Sequence, residues 1–205
     1  MILGLTGSMA SGKSTVSAML KEYGLYVLDA DEEAHAVLEL PAAASELSAL
    51  FGEDILDEGG AVVRARLAEK AFASAEETAK LNAVIHPAVI RAMLEKAEEF
   101  LLEYPEIPVV FDVPLLFESG MDRLCDRVVT VAADDEVRYL RIMLRDGLTR
   151  EQASRRIARQ TPQEEKIARS DAVVFNNDTL TELRAEVGRV LSELGLGAFL
   201  PEGAV

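Results

Sequence analysis

Eight residues near the N-terminus, Gly7-Ser8-Met9-Ala10-Ser11-Gly12-Lys13-Ser14, carry the spacing G-x-x-x-x-G-K-[ST] at every fixed position. The chemistry this spacing serves is phosphate binding. Glycines let the backbone turn its N–H groups onto an anion at a helix N-terminus, the lysine reaches the β- and γ-phosphates, and the hydroxyl holds Mg²⁺. The candidate nucleotide-binding residues are therefore Ser8, Met9, Ala10, Ser11, Gly12, Lys13, Ser14 and Thr15, with Lys13 also catalytic and Ser14 also a metal ligand. The flanks agree with this reading. Ile2-Leu3-Gly4-Leu5 reads as a short buried strand, and Ser14 to Tyr23 reads as a helix with Val16, Met19, Leu20 and Tyr23 on one face. A chance match in a Gly/Ser-rich turn lacks that strand–loop–helix context.

Carboxylates come next. Asp29 and Asp31 follow the apolar run Tyr26-Val27-Leu28, at the end of a strand where ligands bind in α/β sheets. One of them, Asp31 by preference, is placed to orient an acceptor hydroxyl and take its proton. If the strand continues, the D-x-D spacing puts both side chains on one face. The alternative is that they cap the next helix. Asp112 follows Val109-Val110-Phe111 and is placed like the acid that binds Mg²⁺ in phosphoryl-transfer sites. His86-Pro87 precedes an amphipathic stretch (Ile90, Met93, Leu94, Ala97, Leu101). Pro87 suits a first helical position, so His86 either caps that helix or lines an acceptor pocket. His35 has no special spacing.

Charge is unevenly distributed. The chain of 205 residues has a formal net charge of −15, which argues against general nucleic-acid binding. Yet residues 138 to 169 hold nine basic side chains against four acidic ones, a local balance of +5 that leaves −20 elsewhere. Such a segment is suited to a small polyanion. Arg141 and Arg145, four apart on one helix face, are candidates to stabilise charge on a transferring phosphoryl group, with Arg155, Arg156 and Arg159 as a second cluster. Spacing alone does not say which of them does so. Asn176-Asn177-Asp178 is either a base-recognition loop or an Asn-rich turn.

These groups need elements to position them. Strands are expected at the N-terminus, at 26–28, 109–111, 127–131 and 172–175, with helices between, which is the pattern of a parallel sheet with crossover helices. The expected class is an α/β three-layer fold around a five-stranded parallel sheet. The core comprises 1–31, 104–137 and 171–205. The stretch 32–103 reads as an inserted helical subdomain for the acceptor, broken at Pro41, Gly52 and Gly59-Gly60, and 138–170 reads as an arginine-rich lid. The apolar fraction of 49% suits a sizeable core, and no apolar run has the length of a membrane span. With no secretory leader pattern and a single cysteine, Cys125, the expectation is a cytoplasmic protein in which Cys125 is a buried small hydrophobe. Neither a membrane association nor an obligate protein partner is expected.

Taken together, the motifs resemble one family, dephospho-coenzyme A kinase, over nearly the whole chain. The resemblance rests on Gly4-Leu5-Thr6-Gly7 running into the phosphate loop, on Val27-Leu28-Asp29-Ala30-Asp31, and on Leu81-Asn82 to Ile85-His86-Pro87. It continues through Asp112-Val113-Pro114-Leu115-Leu116-Phe117-Glu118, Cys125-Asp126-Arg127-Val128-Val129, Arg156-Ile157-Ala158-Arg159-Gln160, Lys166, Ser170-Asp171 and Asn176. It implies ATP- and Mg²⁺-dependent phosphorylation of the ribose 3′-hydroxyl of dephospho-CoA, the last step of coenzyme A synthesis. It further implies Asp31 as the base near the acceptor, with His86 and Leu115 on the acceptor side. Two departures stand out. The family loop is often Gly-Gly-Ile-Gly/Ala where this chain has Gly7-Ser8-Met9-Ala10, and Ala-Asp is replaced by Ser170-Asp171. The family also tolerates non-acids at Asp112, which weakens a metal role there. The rivals are another small-molecule kinase and a nucleotide-operated switch. A guanine switch carries N-K-x-D, which Asn176-Asn177-Asp178-Thr179 does not match.

Overall fold

The computed structural model describes residues 1–158 and 160–201, so Arg159 of the second arginine cluster and the last four residues of the expected core lie outside it. Five strands are seen among the described residues: β1 (Ile2–Gly7), β2 (Tyr26–Asp29), β3 (Val109–Asp112), β4 (Arg127–Ala132) and β5 (Ala172–Phe175). They lie in the order β2-β3-β1-β4-β5 and run parallel. β1 is central, and its register sets Leu5 opposite Asp112 and Gly7 opposite Val131. The C-terminal ends of β1, β3, β4 and β5 therefore share one edge. The strands are short and apolar because both faces are covered, as a parallel sheet requires. β3 is buried at all four positions.

The chain forms two compact units. The first comprises residues 1–28 and 100–205. Here α1 (Lys13–Glu22) and α9 (Leu180–Glu193) pack on the sheet. Val16, Met19 and Leu20 of α1, and Leu183, Val187, Val190 and Leu191 of α9, join Leu3, Leu5, Val129, Val131 and Val174 in one core. Thr179 and Glu182 form a reciprocal capping box that starts α9. Between β4 and β5 lie α6 (Asp135–Asp146), α7 (Arg150–Ile157) and α8 (Gln163–Ala168). Thr149 and Gln152 make a second capping box at α7, and Gly147, at φ 66°, ends α6.

The second unit, residues 29–99, is helical. It contains α2 (Ala30–Leu38), α3 (Pro41–Phe51), α4 (Arg64–Ala71) and most of α5 (Ala75–Glu103). Leu47, Ile55, Leu67, Ala71 and Met93 are buried within it. Glu33 of α2 is buried and receives Lys96 Nζ from α5 at 2.6 Å.

Two local expectations need correction here. Pro87 does not start a helix: it lies inside the 29-residue α5, so His86 is not a cap. A proline costs one backbone hydrogen bond there. The helix continues because the stripe Ile85, Val89, Met93 and Ala97 is buried along its length. Nor does the second strand continue through Asp31. It stops at Asp29, whose side chain accepts from the backbone N–H groups of Asp31 (2.8 Å) and Glu32 (3.2 Å) and so caps α2.

Among the described residues no helix is long and apolar enough to cross a membrane. Cys125 is only part-buried. Its thiol donates to Met121 O at 3.4 Å, and burial together with Asp122 and Asp126 pushes its pKa up to about 12, which keeps the sulfur protonated and unreactive.

Candidate active site

The loop from Gly7 to Gly12 joins β1 to α1 through an unusual backbone. Ala10 sits at φ 62° and Gly12 at φ 91°. Ser11 N–H donates back to Ser8 O at 3.0 Å, and the N–H groups of Thr15 and Val16 donate to Gly12 O. Both loop glycines are sterically required. A Cβ on Gly7 would stand 2.8 Å from Val131 O, and one on Gly12 would stand 2.0 Å from Asn176 Nδ2. Serine hydroxyls at 8 and 11 are buried without a hydrogen-bond partner. Ser14 is exposed in the first turn of α1, next to Lys13.

The Lys13 ammonium pairs with the Asp112 carboxylate at the end of β3. Asp112 is 1% exposed, so this lysine is the charge that balances a buried acid. Ser14 and Asp112 supply hard oxygen donors of the kind Mg²⁺ takes, and Mg²⁺ needs few from protein because it keeps waters and phosphate oxygens. Among the described residues no cluster of three or more His, Cys, Asp or Glu could hold a metal by itself.

The basic segment divides sharply. Arg138 is buried, donates from Nε to Met9 O at 3.1 Å and pairs with Asp135 at 2.8 Å. Arg141 NH1 lies 3.3 Å from Ala10 O and from Ser11 O, and its NH2 donates to Asn176 Oδ1 at 3.2 Å. Gln160 Oε1 accepts from Met9 N–H at 2.9 Å. Arg145, by contrast, is bidentate to its neighbour Asp146, which also receives Arg156. Arg150 pairs with Glu136 and covers the Tyr139 ring at 5.0 Å. The expected pair Arg141 and Arg145 is thus split, with only Arg141 on the loop. The turn after β5 is also committed: Asn176 Nδ2 donates to Ser11 O at 2.8 Å, and Asn177 exchanges hydrogen bonds with Asp134.

Sequence reasoning did not single out three further residues. Arg138 was counted only as a charge, although its position three before Arg141 puts it on the same helix face. Gln160 gave no signal beyond its place in the resemblance. Lys166 is fully buried in α8. Its Nζ donates to Pro114 O at 3.1 Å and pairs with Glu118 at 3.1 Å. Burial alone would raise the Glu118 pKa, but hydrogen bonds from Thr161, its own backbone and Lys166 hold it below the usual carboxylate range. That clamp fixes the turn carrying Leu115, which is itself exposed.

In the second unit Asp31 lies in the first turn of α2, two residues past the end of β2. His86 is half-buried in α5, and burial lowers its pKa. His35 Nε2 and Arg64 NH2 are 2.6 Å apart.

A phosphate loop of this kind fits many nucleotide-binding proteins, and comparison with known proteins gives the family. The model of the dephospho-CoA kinase family matches residues 1–182. The chain belongs to the dephospho-CoA kinase family. It is 46% identical to the dephospho-CoA kinase of Geobacillus kaustophilus over 93% of this chain and 95% of that protein. It is 43% identical to that of Fusobacterium nucleatum over 92% and 96%. The dephospho-CoA kinase structure from Campylobacter jejuni superposes with a TM-score of 0.74 at 28% identity, covering 96% of this chain and 98% of that one. A shikimate kinase from Bacteroides thetaiotaomicron, at 14% identity and TM-score 0.52, covers 96% and 99% and shares the fold. As a dephospho-CoA kinase the chain is a phosphotransferase that converts dephospho-CoA to CoA, the last step of coenzyme A biosynthesis, with ATP as its other substrate.

Proposed function

We propose that the γ-phosphoryl group passes in line from ATP to the ribose 3′-hydroxyl, with Ser8 to Thr15 cradling the ATP phosphates. The observation that carries this reading is the Lys13–Asp112 pair at the mouth of a positive-φ loop. It keeps a cation at the phosphate site before any phosphate arrives. Such transfers need positioning and charge neutralisation more than covalent chemistry. Lys13 reaches the β- and γ-phosphates, and Arg141, which holds the Ala10 and Ser11 carbonyls, would leave them to take charge on the transferring group. Arg145, held by Asp146 at the surface, is the secondary candidate and reaches the phosphates only if it leaves that carboxylate. Ser14 and Asp112 would hold Mg²⁺, which would supply charge neutralisation for the nucleotide phosphates.

The D-A-D pair divides its labour. Asp29 is the cap of α2, and Asp31 is the base that orients the acceptor hydroxyl and takes its proton. His86 and Leu115 line the acceptor side, and residues 32–103 hold dephospho-CoA. Helices α6 to α8 are the lid, whose closure excludes water, the competing acceptor. The cytoplasm is the compartment that fits a single protonated thiol.

The test is CoA formation from dephospho-CoA, ATP and Mg²⁺, with the product's phosphate position read by NMR. Lys13→Ala is expected to abolish turnover. Asp31→Asn is expected to lower kcat by at least ~10²-fold with ATP affinity kept, the scale of general-base loss. Unchanged kcat in Asp31→Asn removes Asp31 as base.

A further inference from the structure

The carbonyls of the phosphate loop are held by side chains from outside it. Met9 O accepts from Arg138, Ala10 O from Arg141, and Ser11 O from both Arg141 and Asn176. The shortest of these bonds, 2.8 Å, is that of Asn176. No peptide bond here is cis, and in a planar trans peptide the carbonyl of one residue and the N–H of the next point in opposite directions. Fixing Ser11 O therefore fixes the Gly12 N–H on the opposite face of the loop. Such fixing is needed. Ala10 adopts positive φ, and a non-glycine residue stays there only where its surroundings impose it.

We propose that Asn176 is a positioning residue for ATP: its carboxamide locks the Ser11–Gly12 peptide plane so that the Gly12 N–H is set for a nucleotide phosphate. This rests on the loop being the ATP site. The amide has only one satisfactory orientation. Its oxygen faces Arg141, which can only donate, and its nitrogen faces Ser11 O, which can only accept. Asn176 is 6% exposed, and its own N–H donates to Ala132 O at 2.8 Å, so the anchor stands on the sheet edge. Its nitrogen occupies the space a Cβ at residue 12 would need. The loop glycine and this asparagine are one fitted pair, 164 positions apart in the chain.

The experiment measures kcat and both KM values for the parent, Asn176→Ala and Asn176→Asp, with Lys13→Ala as control and circular dichroism to confirm folding. Asn176→Ala is expected to raise the ATP KM roughly tenfold, the equivalent of about one hydrogen bond. The dephospho-CoA KM should stay within about twofold, since only the phosphate loop is disturbed. Asn176→Asp keeps the size and the acceptor for Arg141 but sets an oxygen against Ser11 O, so it is expected to be impaired at least as much. Parent-like ATP KM in Asn176→Asp, with a lower melting temperature in Asn176→Ala, would mean packing alone and overturn the proposal. Parent-like values in both variants beside an inactive Lys13→Ala overturn it too, while leaving the loop as the ATP site. A fully active Lys13→Ala overturns the ATP site and this proposal with it.

Discussion

Arg138 and Arg141, one turn apart on α6, reach the phosphate loop, whereas Arg145, Arg150 and Arg156, further along the same segment, pair with Asp146 and Glu136 at the surface. The side chain of Arg138 is 3% exposed and that of Arg145 is 63% exposed. One residue type, repeated on one basic stretch, meets two dielectric environments. Near the loop, water is excluded, guanidinium groups replace it at backbone carbonyls, and each contact is worth more. At the surface the same pairs are screened and add little. Net charge therefore describes the segment's preference for anions, while burial decides which arginines hold the phosphate loop.

The largest test of this contrast is Arg141→Ala. It is expected to lower kcat/KM for ATP by roughly 10²-fold, the scale of losing one preorganised charge donor, as read by steady-state kinetics. Next is Lys166→Met, which removes the buried cation of α8 from Glu118. It should cost about 2 kcal/mol in urea unfolding, below the ~3–5 of a fully buried pair because Glu118 is partly solvated. Arg145→Ala is expected to change kcat/KM by less than about threefold if its surface pairing with Asp146 reflects its role. A loss matching that of Arg141→Ala would show instead that closure carries Arg145 to the phosphates, and would dissolve the distinction. The smallest effect is Asp146→Asn. Arg145, and then Arg156, hold the Asp146 pKa below its ordinary value of 3.8. The stability it contributes is therefore present above that value and is lost as pH falls through the lower folded value. A slight fall in melting temperature is expected at pH 7 in low salt, vanishing once the pH is acid enough to protonate Asp146 in the folded state and in 1 M salt.

Much of the loop was legible because its requirements are local. Positive φ at Gly12 and a lysine beside a hydroxyl at the helix start can be read from eight residues. Strand positions were legible because apolar runs in a parallel sheet are buried on both faces. Asp29 and Asp31 were legible as a pair but not as a division, since a cap and a free-standing acid differ only in where the strand ends. Pro87 misled because a helix start and a proline tolerated inside a long buried helix have the same local sequence. Arg138, Gln160 and Lys166 had no local signature, because their partners lie on distant segments.

By itself the sequence determined the chemistry available: a phosphate loop, acids after the second and third strands, a basic segment in an otherwise acidic chain, and a family resemblance that the comparisons bear out. These follow from residue type and short spacing, which fix backbone preference and charge. Only the tertiary structure decided which groups act together. The Lys13–Asp112 pair, the Asn176 clamp on Ser11 O and the Lys166–Glu118 pair join residues 99, 165 and 48 positions apart. The parallel sheet gathers the ends of β1, β3, β4 and β5 on one edge, and burial there turns ordinary polar side chains into obligatory partners.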